Sequence, residues 1–387
     1  MGTFFRPQTI LAILAGTIFF SGAFFLITTN TEPVTVAVED TEFIPISVIL
    51  AEQEPTPPIE PILETPPIEE ELVVEEIENP APTPPKTAEP LPVAPPAPVA
   101  QSFVPKDLEL VNKEIQAALV NILCISSASS PVGSISGSGI IIDPSGTILT
   151  NAHIAQYLLL KDYPSKDSIV CTIRTGSPAK AAYTTDLAYV SPLWVTENKD
   201  ALSKANPTGT GKDDFALLTI TGATEFSTMP DTFPYLPVTF DEADVGTTVI
   251  SAGYPASFLS SDAIRRNLVQ ISAAGTIKDI FTFLQTTVDV LSLGGVPLAQ
   301  QGASGGAVVR SDGSLIGLVV TSSLEEDTQE RDLRAISTGH IARSFAGQHQ
   351  SSFAAYAFGD INPEYINFTA NIAPQLRDIL LTALGKE

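Results

Sequence analysis

Bases are scarce in this sequence. Its 387 residues hold 20 lysines and arginines against 44 aspartates and glutamates, a formal net charge of −24. No basic patch stands out, so nucleic acid is not an expected partner. Cysteine is scarcer still: Cys124 and Cys171 stand alone, with neither metal-ligand spacing nor a CxxC pair, so no metal and no cofactor is expected. Nothing repeats at a fixed period, which argues against a solenoid or propeller.

What is present is unevenly spread. Residues 31–105 are rich in proline and glutamate, and between 31 and 101 about half of the 32 prolines and about fifteen acids accompany one base, Lys86. Such a composition cannot bury a core, and its like charges extend it. In polyproline II it reaches on the order of 200 Å at most, at about 3 Å per residue. Before it, residues 9–28 carry no charge and are long enough to cross a bilayer as a helix. Arg6 precedes that run and acids follow it, which favours a cytoplasmic N-terminus and an exported remainder. The expectation is therefore a signal anchor in residues 1–30, a single pass through the cell membrane, and an extracytoplasmic globular part. Secretion after signal cleavage is the alternative, with Thr35-Val36-Ala37 as a weak cleavage site.

Order resumes at Lys106. Leu108, Val111 and Ile115 fall at helical spacing, and from Ala118 short runs rich in Val, Ile and Thr follow one another, separated by turn residues. They include 118–125, 138–143 with 147–150, 168–174, 215–220, 247–252, 268–273, 283–290, 305–309, 315–320 and 333–337. Strands at this frequency without interleaved helices predict an all-β domain, a barrel or sandwich, over 106–350. In the tail, 351–387, Ile372, Leu376, Ile379, Leu380 and Leu384 trace one helical face, predicted to pack on the domain. Cys124 and Cys171 lie in β-like runs. In an oxidising compartment they could bridge a loop of about 48 residues, worth up to ~4 kcal/mol; two buried free thiols are the alternative.

The chemistry is suggested by Gly302-Ala303-Ser304-Gly305-Gly306. A serine hydroxyl needs a base to take its proton and donors to hold the charge its attack creates. Glycines let a turn gather N–H groups on one point. Alone, the segment reads equally as a tight hairpin turn. Upstream, His153 ends Ile148-Leu149-Thr150-Asn151-Ala152-His153, and Asp214 stands at the mouth of the apolar strand Phe215-Ala216-Leu217-Leu218, where a carboxylate can orient an imidazole. Asp213 is the competitor for that role. His340 and His349 read as ordinary surface or packing residues.

With Gly137-Ser138-Gly139-Ile140-Ile141-Ile142-Asp143, these segments resemble the trypsin-like (chymotrypsin-fold) serine proteases, most closely the bacterial HtrA/Deg-type branch. The resemblance spans roughly residues 107–345 in the order His, Asp, Ser. It implies two six-stranded antiparallel β-barrels with a cleft between them. Ser304 would be the nucleophile, His153 the base and Asp214 the orienting carboxylate, with an oxyanion hole made by the N–H groups of Gly302 and Ser304. Leu298, six residues before the serine, would line the base of the specificity pocket, with Thr321 and Ser322 on its wall. No acid is evident there to bind Arg or Lys, so cleavage after small or medium apolar residues is expected.

The sequence also departs from that pattern. Ala303 replaces the residue through which an Asp-dependent zymogen switch would work. No cysteine adjoins His153, so Cys124 and Cys171 would have to make a different bridge. About eighty residues follow Ser304, which leaves no PDZ domain. The function expected is a membrane-anchored extracytoplasmic serine endopeptidase with protein or peptide substrates. A non-catalytic envelope tether with a protease-like head is the alternative. Oligomeric state is not readable.

Overall fold

The computed structural model describes residues 104–204, 209–283, 286–322, 331–349, 351–358 and 363–385. The uncharged run at 9–28 and the Pro/Glu segment up to residue 103 lie outside these. Among the described residues no helix is long and apolar enough to cross a membrane.

A short helix α1 (Leu108–Ala118) opens the domain, with Asp107 accepting a hydrogen bond from Glu109 N–H at its start. Six strands follow: β1 (Leu119–Ser126), β2 (Ile135–Ile141), β3 (Thr147–Thr150), β4 (Ile169–Thr175), β5 (Lys180–Val190) and β6 (Ala216–Ala223). They close into an antiparallel barrel in the order β1-β2-β3-β6-β5-β4. Closure comes from β1 pairing with β4, and there Cys124 stands directly opposite Cys171, joined to it by a disulfide. Bulges in the β4–β5 and β5–β6 pairings supply the local bending that a small barrel needs. Helices α2 (Ala152–Leu159) and α3 (Pro192–Glu197) lie in the connections.

The second half does not close. After β7 (Thr248–Gly253) and α4 (Ser261–Asn267) come β8 (Ile271–Thr276), β9 (Asp279–Phe281), β10 (Val290–Ser292), β11 (Ala307–Arg310), β12 (Leu315–Ser322) and β13 (Leu333–Ser337). They form one seven-stranded sheet ordered β8-β7-β11-β12-β13-β10-β9. With the closed barrel, this half-barrel fits the expected two-barrel arrangement, but it has seven strands in an open sheet where six in a closed one were expected. The sheet curls until its edge strands β8 and β9 are separated by Ile277 and Lys278 alone, and those residues bond to Thr247 and Ser292 instead of pairing edge to edge. Of the described residues in the predicted strand at 283–290, Val290 alone lies in a strand. Asp289, Thr287 and Phe283 form a hydrogen-bonded loop there, and β10 starts at Val290.

One apolar cluster runs across both halves, and the second half holds another of its own. Residues 233–239 cross between them, with Phe233 and Leu236 N–H groups on Pro144 and Ile141 and the Pro237 carbonyl on Leu315 N–H. Arg174, 3% exposed, bolts the same seam: its guanidinium donates to the carbonyls of Ala179, Ile264 and Arg265. Among the described residues, the C-terminal part is built of helices: α5 (Thr338–Gln348), α6 (Phe353–Ala357), α7 (Pro363–Asn367), a π-helical turn at Phe368–Ile372, and α8 (Ala373–Ala383). Leu376 and Leu380 of α8 are buried, with Ile372, Ile379 and Leu384 half-buried beside them. Tyr189 of β5 gathers Phe345, Tyr356 and Phe368 around its ring, at centroid distances of 4.8, 5.8 and 5.2 Å, and so holds the tail on the first barrel.

Candidate active site

His153 is the second residue of α2, where backbone N–H groups have no partner within the helix. Asn151, the residue before the helix, makes no side-chain cap; its amide donates instead to the Asp214 carbonyl at 2.8 Å. The Asp214 carboxylate supplies what is missing. Its Oδ1 accepts the His153 backbone N–H at 3.0 Å and its Oδ2 meets the ring Nδ1 at 2.7 Å. One carboxylate thus fixes both the backbone and the imidazole of His153, with the negative charge at the positive end of the helix. The pair is buried, His153 at 5% and Asp214 at 3% exposure. With Nδ1–H donating to Asp214, Nε2 is the nitrogen left to act as a base.

The loop Gly302–Gly306 is brought to the same place by Ser138. This residue, fully buried in β2, donates its N–H to the Ser304 carbonyl at 2.8 Å and its hydroxyl to the Gly302 carbonyl at 2.7 Å. Its own carbonyl accepts the hydroxyl of Thr150, three residues before His153. Gly305 has φ +82°, and a Cβ there would collide with the Ser138 carbonyl oxygen, so only glycine permits the approach. The Ser304 carbonyl is pinned while its residue stays partly exposed. Among the described residues, the N–H groups of Gly302 and Ser304 donate to no protein acceptor, although Ala303, Gly305 and Gly306 N–H all do. No hydrogen bond within the described residues joins the Ser304 hydroxyl to His153.

The structure places the other predicted site residues as follows. Leu298 is fully buried in the apolar cluster of the second half, among Ala299, Ala303, Val308 and Val319. It packs there as a core residue. Thr321 and Ser322 end β12, paired with Arg334 and Leu333.

Asp213, the competitor for the orienting role, and His340, expected as a surface or packing residue, meet in a second buried cluster. Asp213 is 2% exposed with φ +60° and accepts from Ser344 Oγ at 2.5 Å. Its Oδ1 faces His340 Nε2 at 3.6 Å, while His340 Nδ1 meets Asp289 Oδ1 at 3.1 Å. Arg343 donates to that Asp289 oxygen at 2.8 Å. Burial alone raises the carboxyl pKa of Asp289, but hydrogen bonds from Arg343, Thr287 and the Phe283 N–H outweigh it and hold it well below the usual range. Ser138 was visible as the centre of a Gly-Ser-Gly triplet, without a sign that its hydroxyl serves the nucleophile loop 164 residues away.

A closed β-barrel joined to a curled sheet, with a buried His–Asp pair and a glycine-built serine loop at their seam, defines the trypsin-like class of hydrolases. Residues 137–318 match the family model of the trypsin-like peptidase domain. The chain carries that domain and is a serine peptidase. No curated protein sequence matches it. Among solved structures, it is similar to the crystal structure of the serine endoprotease from Yersinia pestis, at 21% identity and a TM-score of 0.40, over 64% of this chain and 68% of that one.

Proposed function

We propose that the protein is a tethered extracytoplasmic endopeptidase of the HtrA/Deg type, working through Ser304, His153 and Asp214. One observation carries the assignment: Asp214 grips His153 at both N–H and Nδ1, beside a serine loop with two unengaged backbone donors. In this reading His153 Nε2 takes the Ser304 proton as the hydroxyl attacks the scissile carbonyl. The imidazolium that forms is stabilised by Asp214 and returns the proton to the leaving amine. Gly302 and Ser304 N–H hold the oxyanion, a contribution of about 10²–10³ in turnover per donor. Water then releases the acyl group from Ser304 by the same steps.

Leu298, Thr321 and Ser322 carry no charge, which supports cleavage after small or medium apolar residues. The Cys124–Cys171 bridge suits an oxidising compartment, and with the uncharged run at 9–28 and the Pro/Glu spacer it supports a peptidase held outside the cytoplasm on a membrane tether. The purified full chain should label with a fluorophosphonate serine probe, and Ser304→Ala should abolish both labelling and hydrolysis. Full activity in Ser304→Ala defeats the assignment. Profiling against a peptide library tests the pocket, and preferential cleavage after Arg or Lys rejects it.

A further inference from the structure

The nucleophile loop is gripped on its other flank by residues that the His-Asp-Ser reading leaves without a role. Gln301, immediately before Gly302, engages both of its main-chain groups on the segment that follows β7. Its N–H donates to Ser257 Oγ at 2.8 Å, and its carbonyl accepts the Ala256 N–H at 2.7 Å. One residue on, the Gly302 carbonyl takes the Ser138 hydroxyl at 2.7 Å, and that same hydroxyl oxygen accepts the Tyr254 N–H at 2.9 Å. Residues 254–257 and Ser138 therefore form one connected frame around Gln301 and Gly302. The fit is close: at Gly302, with φ +88°, a Cβ would lie 2.6 Å from the Tyr254 carbonyl oxygen and 3.1 Å from Ala256 N.

The frame has a directional consequence. In a trans peptide the carbonyl of one residue and the N–H of the next point to opposite sides. Because the Gln301 carbonyl is held toward Ala256, the Gly302 N–H is turned away from residues 254–257. A rotation of this peptide by half a turn would break the Ala256 bond and put the Gln301 carbonyl oxygen, a negative dipole end, where the donor now points. Such a loop could not stabilise an oxyanion.

We infer that Ser257 and Ser138 are positioning residues: by holding the Gln301 N–H and the Gly302 carbonyl, one on each side of the Gln301–Gly302 peptide, they brace that peptide, whose carbonyl Ala256 N–H holds, in the donor-out orientation, so that the oxyanion hole is assembled before substrate arrives. The inference rests on the proposed role of Gly302 as an oxyanion donor. Ser257 acts through Gln301 and touches no reacting atom. Its hydroxyl is half-buried, so its removal deletes one acceptor without opening the core. Ser138 is fully buried and holds two loops, so it is the less clean site for a test.

The experiment compares the full chain with its Ser257→Ala and Ser257→Thr variants, using a peptide substrate and a peptide boronate that forms a tetrahedral adduct. Loss of orientation is expected to lower kcat of Ser257→Ala about 10- to 100-fold, short of or equal to deleting a donor outright. KM should change little, and boronate affinity should fall in parallel with kcat. Ser257→Thr, which keeps the hydroxyl, should restore both, and the unfolding midpoints of all three proteins should agree. An unchanged kcat in Ser257→Ala overturns the inference, as does a loss that appears in KM with boronate affinity retained. A wild-type chain that fails to react with the fluorophosphonate probe would instead remove the underlying assignment, so the two failures are distinguishable.

Discussion

Two histidines in this molecule sit in nearly the same local setting. His153 is the second residue of α2 and His340 the third of α5; each presents Nδ1 to a buried aspartate, at 2.7 Å and 3.1 Å. Each backbone N–H is also capped, by the Asp214 carboxylate in one case and by the Ser337 hydroxyl in the other. The difference lies on the far side of the ring. His340 Nε2 faces a second carboxylate, Asp213, at 3.6 Å, and Phe283 covers the ring at a centroid distance of 4.9 Å. His153 stands where Ser138 and Thr150 bring the serine loop. A buried His–Asp pair is therefore not a catalytic signature. It becomes one where a nucleophile and backbone donors share its open side.

The comparison can be broken most directly by exchanging which histidine is lost. His153→Ala should lower peptide hydrolysis by about 10⁴-fold or more, and because it leaves the buried Asp214 without its ring partner it should also cost about 1–3 kcal/mol of stability. His340→Gln should keep kcat within the same order of magnitude while lowering stability by about 1–3 kcal/mol, the cost of unpaired buried polar groups. Equal catalytic losses in the two variants would erase the distinction.

Asp289 should show a large structural effect of its own. Asp289→Ala leaves the half-exposed Arg343 and the buried His340 without their shared carboxylate, and losing hydrogen bonds to a charged group costs about 1.5–3 kcal/mol. Urea unfolding measures it, and the fraction still folded should label with fluorophosphonate normally.

The acid response sharpens the same contrast. The folded-state carboxyl of Asp289 lies well below the usual range, so its contribution is complete above the unfolded value of about 3.9. It is lost as pH falls from there toward the folded value. Wild type should therefore lose stability on acidification below about pH 4 more steeply than Asp289→Asn. Identical slopes in urea titrations would show that Asp289 is not the group responsible.

The smallest effect belongs to Ser344→Ala, which removes one hydrogen bond to Asp213, worth about 1 kcal/mol. Asp213 adjoins Asp214, so a shift in the pH profile of kcat beyond that stability change would show that the two clusters are coupled.

Much of the candidate site was legible along the chain because its local requirements are written in residue types. A serine approached on both sides by backbone needs glycines, so Gly302, Gly305 and Gly306 stand out. Asp214 abuts an apolar strand, and His153 ends one. Strands β1, β3, β6 and β13 were visible for a similar reason, as β-branched apolar runs between turn residues. By contrast β5 is the longest strand among the described residues, at 11 residues, yet Lys180, Ala181, Ala182 and Asp186 dilute the β preference of Tyr183, Thr184 and Thr185 at its start. It is a strand because β4 and β6 pair with it on both sides, and tertiary pairing outweighs propensity.

By itself the sequence determined a serine peptidase domain and marked the serine loop, His153 and Asp214 as its candidate site, since each rests on a local pattern of backbone freedom and polarity. Only the tertiary structure decided the rest. It closed the first sheet and left the second as a seven-stranded curl, and it placed Leu298 in the core. It also brought Asp213, Asp289 and His340 into one buried cluster, and Ser138 and Ser257 around Gln301–Gly302. Those groups are far apart along the chain, and their roles arise from burial and hydrogen-bond geometry that exist only once the two halves have packed.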